Sequence, residues 1–122
     1  MVTLKKYAFL FSVFLVIIGY AIFLKPLSAH QPEDMVVAYD EKNKVISIGV
    51  IHLSDKPQKH FIKEVTIRLN GKEIIKQVFL SQRDPKVQTA SYVIEDANDK
   101  DTIEVVAVCS DKNSLKRTFK VE

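Results

Sequence analysis

Past residue 29 the chain alternates apolar and polar side chains with a period of two, and helical spacing is almost absent. Met35–Tyr39 reads as a first strand and Asp40–Asn43 as the turn after it. In Lys44–Leu53, Ile46, Ile48 and Val50 share one face, opposite Ser47 and Gly49. A loop over Ser54–Lys59, with Asp55 and Pro57, leads to Phe61–Leu69. The inward row there is expected to be Phe61, Val65, Ile67 and Leu69, with Lys63 at the same parity near its start. Asn70-Gly71 predicts a type I′ hairpin, which needs positive φ at both central residues, returning through Lys72–Leu80. Gln82–Lys86, around Asp84-Pro85, interrupts the pattern. Gln88–Ile94, Thr102–Cys109 and Leu115–Val121 complete seven strands, with Glu95–Asp101 as an acidic turn. Seven short strands with regular turn signals predict an all-β fold, a seven-stranded immunoglobulin-like antiparallel β-sandwich over residues 30–122. Charges in the last strand, Lys116-Arg117, suit an exposed sheet edge.

The first 29 residues follow a different rule. Tyr7–Leu24 is uncharged, with Lys5-Lys6 before it and Lys25-Pro26 after it. As a helix rising about 1.5 Å per residue, it spans roughly 27 Å, near the thickness of a bilayer core. The paired lysines favour a cytoplasmic amino terminus, which exports everything beyond Leu24. Residues 1–29 are therefore expected to be one N-terminal transmembrane or signal helix, giving a membrane contact through residues 7–24. The length of the run favours an uncleaved anchor in the cytoplasmic membrane, with the domain on the extracytoplasmic side. Leu27-Ser28-Ala29 is a partial cleavage site, and cutting after Ala29 would give a secreted or periplasmic domain beginning at His30.

Charge changes the picture only by exclusion. The net charge is +3, but Lys5, Lys6 and Lys25 supply all of it, and the 15 acidic residues of 30–122 are matched by as many basic ones. A neutral domain offers no electrostatic reason to expect nucleic acid as a partner.

The chemistry concentrates in four side chains. His30, His52, His60 and Cys109 are the whole imidazole and thiol inventory, and all lie beyond residue 29. A single cysteine in an exported domain cannot form an internal disulfide, so the thiol asks for another role. His52 shares parity with Ile46, Ile48 and Val50 and ends that inward row; Cys109 does the same after Ile103, Val105 and Ala107. His60 opens a strand and His30 precedes the first one. Since successive strands reverse direction, His52 and His60 share one rim of the sandwich; the sequence leaves open whether Cys109 reaches it. Taken singly, each histidine reads as a surface or capping residue and Cys109 as a small buried hydrophobe. Their joint position at strand ends favours a single metal site, and imidazole with thiolate suits iron, copper or zinc.

The order of these residues resembles the ferrous-iron domain of superoxide reductases, the desulfoferrodoxin and neelaredoxin group. The family runs His-Val-Pro, then two histidines in His-Pro-x-x-x-x-His-Tyr-Ile, then an Asn-Gly-like turn, then Cys-Asn-x-His-Gly. The counterparts are His30-Gln31-Pro32, His52-Leu53-Ser54 through His60-Phe61-Ile62, Leu69-Asn70-Gly71 and Val108-Cys109-Ser110. The resemblance covers nearly all of 30–122. It implies an immunoglobulin-like sandwich holding mononuclear iron, with equatorial imidazoles, an axial thiolate and one open position for superoxide. The chain departs from the pattern in three places. His52 and His60 are two residues further apart, Lys112 stands where the family has its fourth imidazole, and Ser28-Ala29 replaces Glu-Lys before the first histidine. The implied set is thus at most His30, His52, His60 and Cys109, with water or a carboxylate such as Asp111 or Asp55 completing it.

Three functions follow as expectations. The first is a membrane-anchored iron redox domain resembling superoxide reductase, served by a one-electron donor protein. The second is a copper or zinc capture module. The third is an interaction domain whose metal site has decayed. Glu95–Asp101 lacks the glycine and closing glutamate of a calcium-binding EF-hand loop, and no Gly-x-Ser-x-Gly elbow is present for hydrolytic chemistry.

Overall fold

The computed structural model describes residues 31–122. The expected membrane or signal helix, the Ala29 cleavage point and His30 lie outside those residues. Among the described residues no helix is long and apolar enough to cross a membrane.

Seven antiparallel strands form two sheets: β1 (Asp34–Asp40), β2 (Val45–Ile51), β3 (Ile62–Leu69), β4 (Lys72–Val78), β5 (Val87–Val93), β6 (Thr102–Cys109) and β7 (Ser114–Lys120). One sheet has the order β1-β2-β5 and the other β4-β3-β6-β7. Alternation drives this arrangement, because each strand carries one apolar row that must leave water. Met35, Ile46, Ile48 and Val50 from the first sheet join Ile62, Val65, Ile67, Ile103, Val105 and Ala107 from the second in one buried cluster. Arg117 on β7 closes one side by donating to the Asp34 carboxylate and the Met35 carbonyl on β1. β7 is an edge strand, as the Lys116-Arg117 pair predicts.

The β3–β4 turn is the one read from Asn70-Gly71, with φ of 50° and 83° at its two central residues. A Cβ at Gly71 would meet nothing within 4 Å, so only backbone strain opposes a side chain there. Gly71→Ala is expected to cost about 1 kcal/mol. That corresponds to a melting point roughly 4–8 °C lower, checked by thermal unfolding.

One inward row differs from expectation. Ile62, not Phe61, is fully buried at the start of β3, and Phe61 is half-buried. A bulge between Ile62 and Glu64 shifts the pairing with β6 by one residue and reverses parity ahead of Val65. Period-two counting cannot detect such an insertion. The bulge matters for the site, because it sets how the backbone before Ile62 approaches the end of β6.

The topology gathers one rim. The chain crosses between sheets from β2 to β3 and again from β4 to β5, while the β6–β7 hairpin turns at the same end, since Ile62 pairs with Cys109. β1 also starts here: Glu33 N–H donates to Ile51 O at 2.9 Å.

Candidate metal centre

Two connections deliver the candidate ligands of the described chain to that rim: His52 and His60 stand at the two ends of the β2–β3 crossing, and Cys109 at the β6–β7 turn. His52 follows β2 and keeps its inward parity, and its N–H donates to Lys86 O at 2.9 Å, extending the β2–β5 pairing by one step. The chain then loops out through Ser54–Lys59. A tight turn, with Lys59 and His60 N–H both donating to Lys56 O at 2.8 Å, brings it back. The Ser54 hydroxyl donates to His60 O at 2.5 Å and fixes the return. Cys109 ends the β6 row. Its neighbour Ser110 donates N–H to Phe61 O at 2.8 Å and accepts from Phe61 N–H at 3.2 Å, locking the thiol-bearing strand to the His60 segment.

The three side chains meet. Cys109 Sγ lies 3.2 Å from His52 Nε2 and 3.0 Å from His60 Nε2. The two rings stand edge-on at 69°, with centroids 4.7 Å apart. All three donor atoms lie within 4.8 Å of one another, a group that can hold a metal ion. His52 is 0% and Cys109 1% exposed, whereas the His60 side chain is 26% exposed. The site is thus dry on the core side and open to water along one imidazole.

Of the two carboxylates considered as further ligands, the structure brings up only one. Asp111 Oδ2 is 3.4 Å from His60 Nε2. Burial works to raise the Asp111 carboxyl, but hydrogen bonds from Asn113 N–H, the Cys109 thiol and the Asn113 side chain, with the nearby His60, hold it below its ordinary range. Asp55 is exposed and stands outside the donor group. Lys112 takes the left-handed position of the β6–β7 turn, with φ of 77° and its N–H donating to Cys109 O at 2.9 Å.

Burial pushes the Cys109 thiol above its ordinary range, and the Asp111 carboxylate adds to the effect. A metal binds the thiolate, so it must displace that proton. Affinity is therefore expected to rise about tenfold per pH unit for as long as the thiol stays protonated, continuing past the ordinary thiol range before it levels. Competition titrations against a chelator across neutral to alkaline pH check the slope.

The sequence pattern missed one residue altogether. Gln82, in the β4–β5 crossing, is 2% exposed and reaches between His52 and the start of β3. Its Oε1 lies 2.9 Å from His52 Nδ1 and accepts from Ile62 N–H at 3.3 Å. Its Nε2 donates to His52 O at 2.7 Å and Asp84 O at 2.8 Å, and its backbone N–H donates to Pro57 O at 2.9 Å. A glutamine in a polar, proline-containing loop carries no signal that would distinguish it from solvent-facing neighbours.

No protein-family model matches the chain, and no curated protein matches it.

Proposed function

We propose that residues 30–122 form an extracytoplasmic redox domain, tethered by residues 7–24, that holds one iron ion through His52, His60 and Cys109, with His30 as a further ligand. The single observation that carries this reading is the approach of two imidazole nitrogens, 3.2 and 3.0 Å away, to the only thiol of the chain. With metal–sulfur and metal–nitrogen bonds of about 2.3 and 2.1 Å, donors at right angles lie about 3.1 Å apart and donors at tetrahedral angles about 3.6 Å. Both separations, 3.2 and 3.0 Å, are short enough for one ion to be held by Cys109 together with His52 and His60. His30 enters the proposal because it lies just ahead of β1, whose start is bonded to the residue before His52. The strand order supports an immunoglobulin-like reading: first, second and fifth strands in one sheet, third, sixth and seventh in the other, the fourth added at its edge.

Iron in such a site supplies a one-electron couple, tuned by the thiolate. The protein's own groups do the rest. Cys109 would hold the ion as a thiolate, neutralising one unit of its charge. His52 is held from the core side, and His60 forms the water-accessible edge from which a small oxidant such as superoxide would approach. The resemblance to superoxide reductases supports that substrate.

The test is to load the full-length chain anaerobically with ferrous iron and then oxidise it. A thiolate-to-ferric charge-transfer band is expected in the wild type and lost in Cys109→Ser. Its absence from the wild type overturns the iron reading. A second reading, copper, is favoured by the same two imidazoles and one thiolate, which are also the donor set of electron-transfer copper sites. An intense thiolate band on cupric loading, with no ferric band, would favour it.

A further inference from the structure

We propose that Gln82 is a positioning residue for the metal site, fixing His52 in the tautomer that carries its proton on Nδ1 and turns the Nε2 lone pair toward Cys109; the proposal rests on the metal-binding reading above. The geometry leaves the amide only one orientation. Its nitrogen faces two carbonyl oxygens, His52 O and Asp84 O, which can only accept. Its oxygen faces Ile62 N–H, which can only donate. Turning the amide over would set oxygen against two carbonyls and –NH2 against an N–H, in a position that is 2% exposed and has little water to compensate. With the amide fixed, Oε1 presents an acceptor to His52 Nδ1 at 2.9 Å, so Nδ1 must be the nitrogen that bears hydrogen. In the neutral ring the other nitrogen, 3.2 Å from Cys109 Sγ, then keeps its lone pair.

Two features make this a device for the site and not only a core contact. Gln82 grips both the ring of His52 and that residue's own carbonyl, so ring and backbone are oriented by one side chain. Through Ile62 N–H and Pro57 O it also ties the β4–β5 crossing to both ends of the segment that delivers His60. A neutral amide acceptor sets the tautomer without placing a negative charge beside the imidazole. Outer partners of metal-bound histidines commonly change affinity by about 10–100-fold when removed.

The experiment has two readouts on the full-length chain. The first is the nitrogen-15 spectrum of the His52 ring in metal-free protein, which needs no metal and no variant. A protonated Nδ1 with an unprotonated Nε2 is expected; the opposite tautomer, or an even mixture, overturns the proposal. The second is cobalt(II) affinity, by chelator competition, for wild type, Gln82→Met and Gln82→Glu. Gln82→Met keeps the shape but has no strong acceptor, and is expected to bind about 10–100-fold more weakly and to lose the tautomer preference. Gln82→Glu keeps an acceptor for Nδ1–H but sets its second oxygen against the His52 and Asp84 carbonyls, so it is expected to restore the tautomer preference lost in Gln82→Met while lowering the melting temperature, a split that a purely structural role would not give. Equal affinity in wild type and Gln82→Met overturns the role of Gln82 while the site itself stands. No cobalt binding by wild type, beside the expected His52 spectrum, overturns the metal reading and with it this role.

Discussion

Cys109→Ser protein is expected to bind cobalt(II) or ferrous iron more than about 100-fold more weakly than the wild type. Loss of an outer partner alone costs about 10–100-fold, and Cys109 supplies the only anionic donor of the His52, His60, Cys109 group. A serine hydroxyl at this position stays protonated near neutral pH and offers a weak neutral oxygen where a thiolate stood. The substitution is small, and the hydroxyl has His52 Nε2 and His60 Nε2 beside it as partners, so the fold is expected to persist. Chelator competition measures the affinity, and the cobalt–thiolate absorption measures the bond directly. Wild-type affinity in the serine variant would mean that the ion, if bound, sits elsewhere. The double variant His52→Ala, His60→Ala should be at least as weak and should leave Cys109 without an imidazole neighbour in the described chain.

The second large effect is on the core. Ile103 is fully buried in β6, with Leu69 paired on one side and Phe119 on the other. Ile103→Ala removes most of that side chain from a position where both neighbouring strands are fixed by pairing, so the cavity cannot collapse fully. The expected cost is about 2–5 kcal/mol, against a total of about 5–15 kcal/mol for a domain of this kind. The melting temperature should fall by more than about 10 °C, followed by circular dichroism. Because Cys109 ends the same row, added cobalt(II) should recover part of the loss through selective binding to the folded state. No recovery would indicate that the ion binds folded and unfolded chains alike.

Local signals carried much of this into the sequence. His52 and Cys109 were legible because parity with Ile48, Val50, Val105 and Ala107 places them at the ends of buried rows, and both are buried. Asn70-Gly71 was legible because its backbone demand is confined to two residues. The meeting of Cys109 with the histidines was not legible. It depends on the pairing of Ile62 with Cys109, a contact between distant parts of the chain that no periodicity encodes. The bulge beside Ile62 hid for a related reason, since an inserted residue is defined only by the strand opposite. Gln82 was hidden because its role lies in a hydrogen-bond pattern assembled from the ends of β2 and β3 and its own loop. The side chain itself looks like that of any polar loop residue.

The spread of donors along the chain has a temporal consequence. His52 and His60 leave the ribosome before Cys109, which reaches them only when β6 zips onto β3. An ion therefore finds no complete binding set on a nascent polypeptide. Any metal would enter only after β6 has docked, in whichever compartment holds the finished domain.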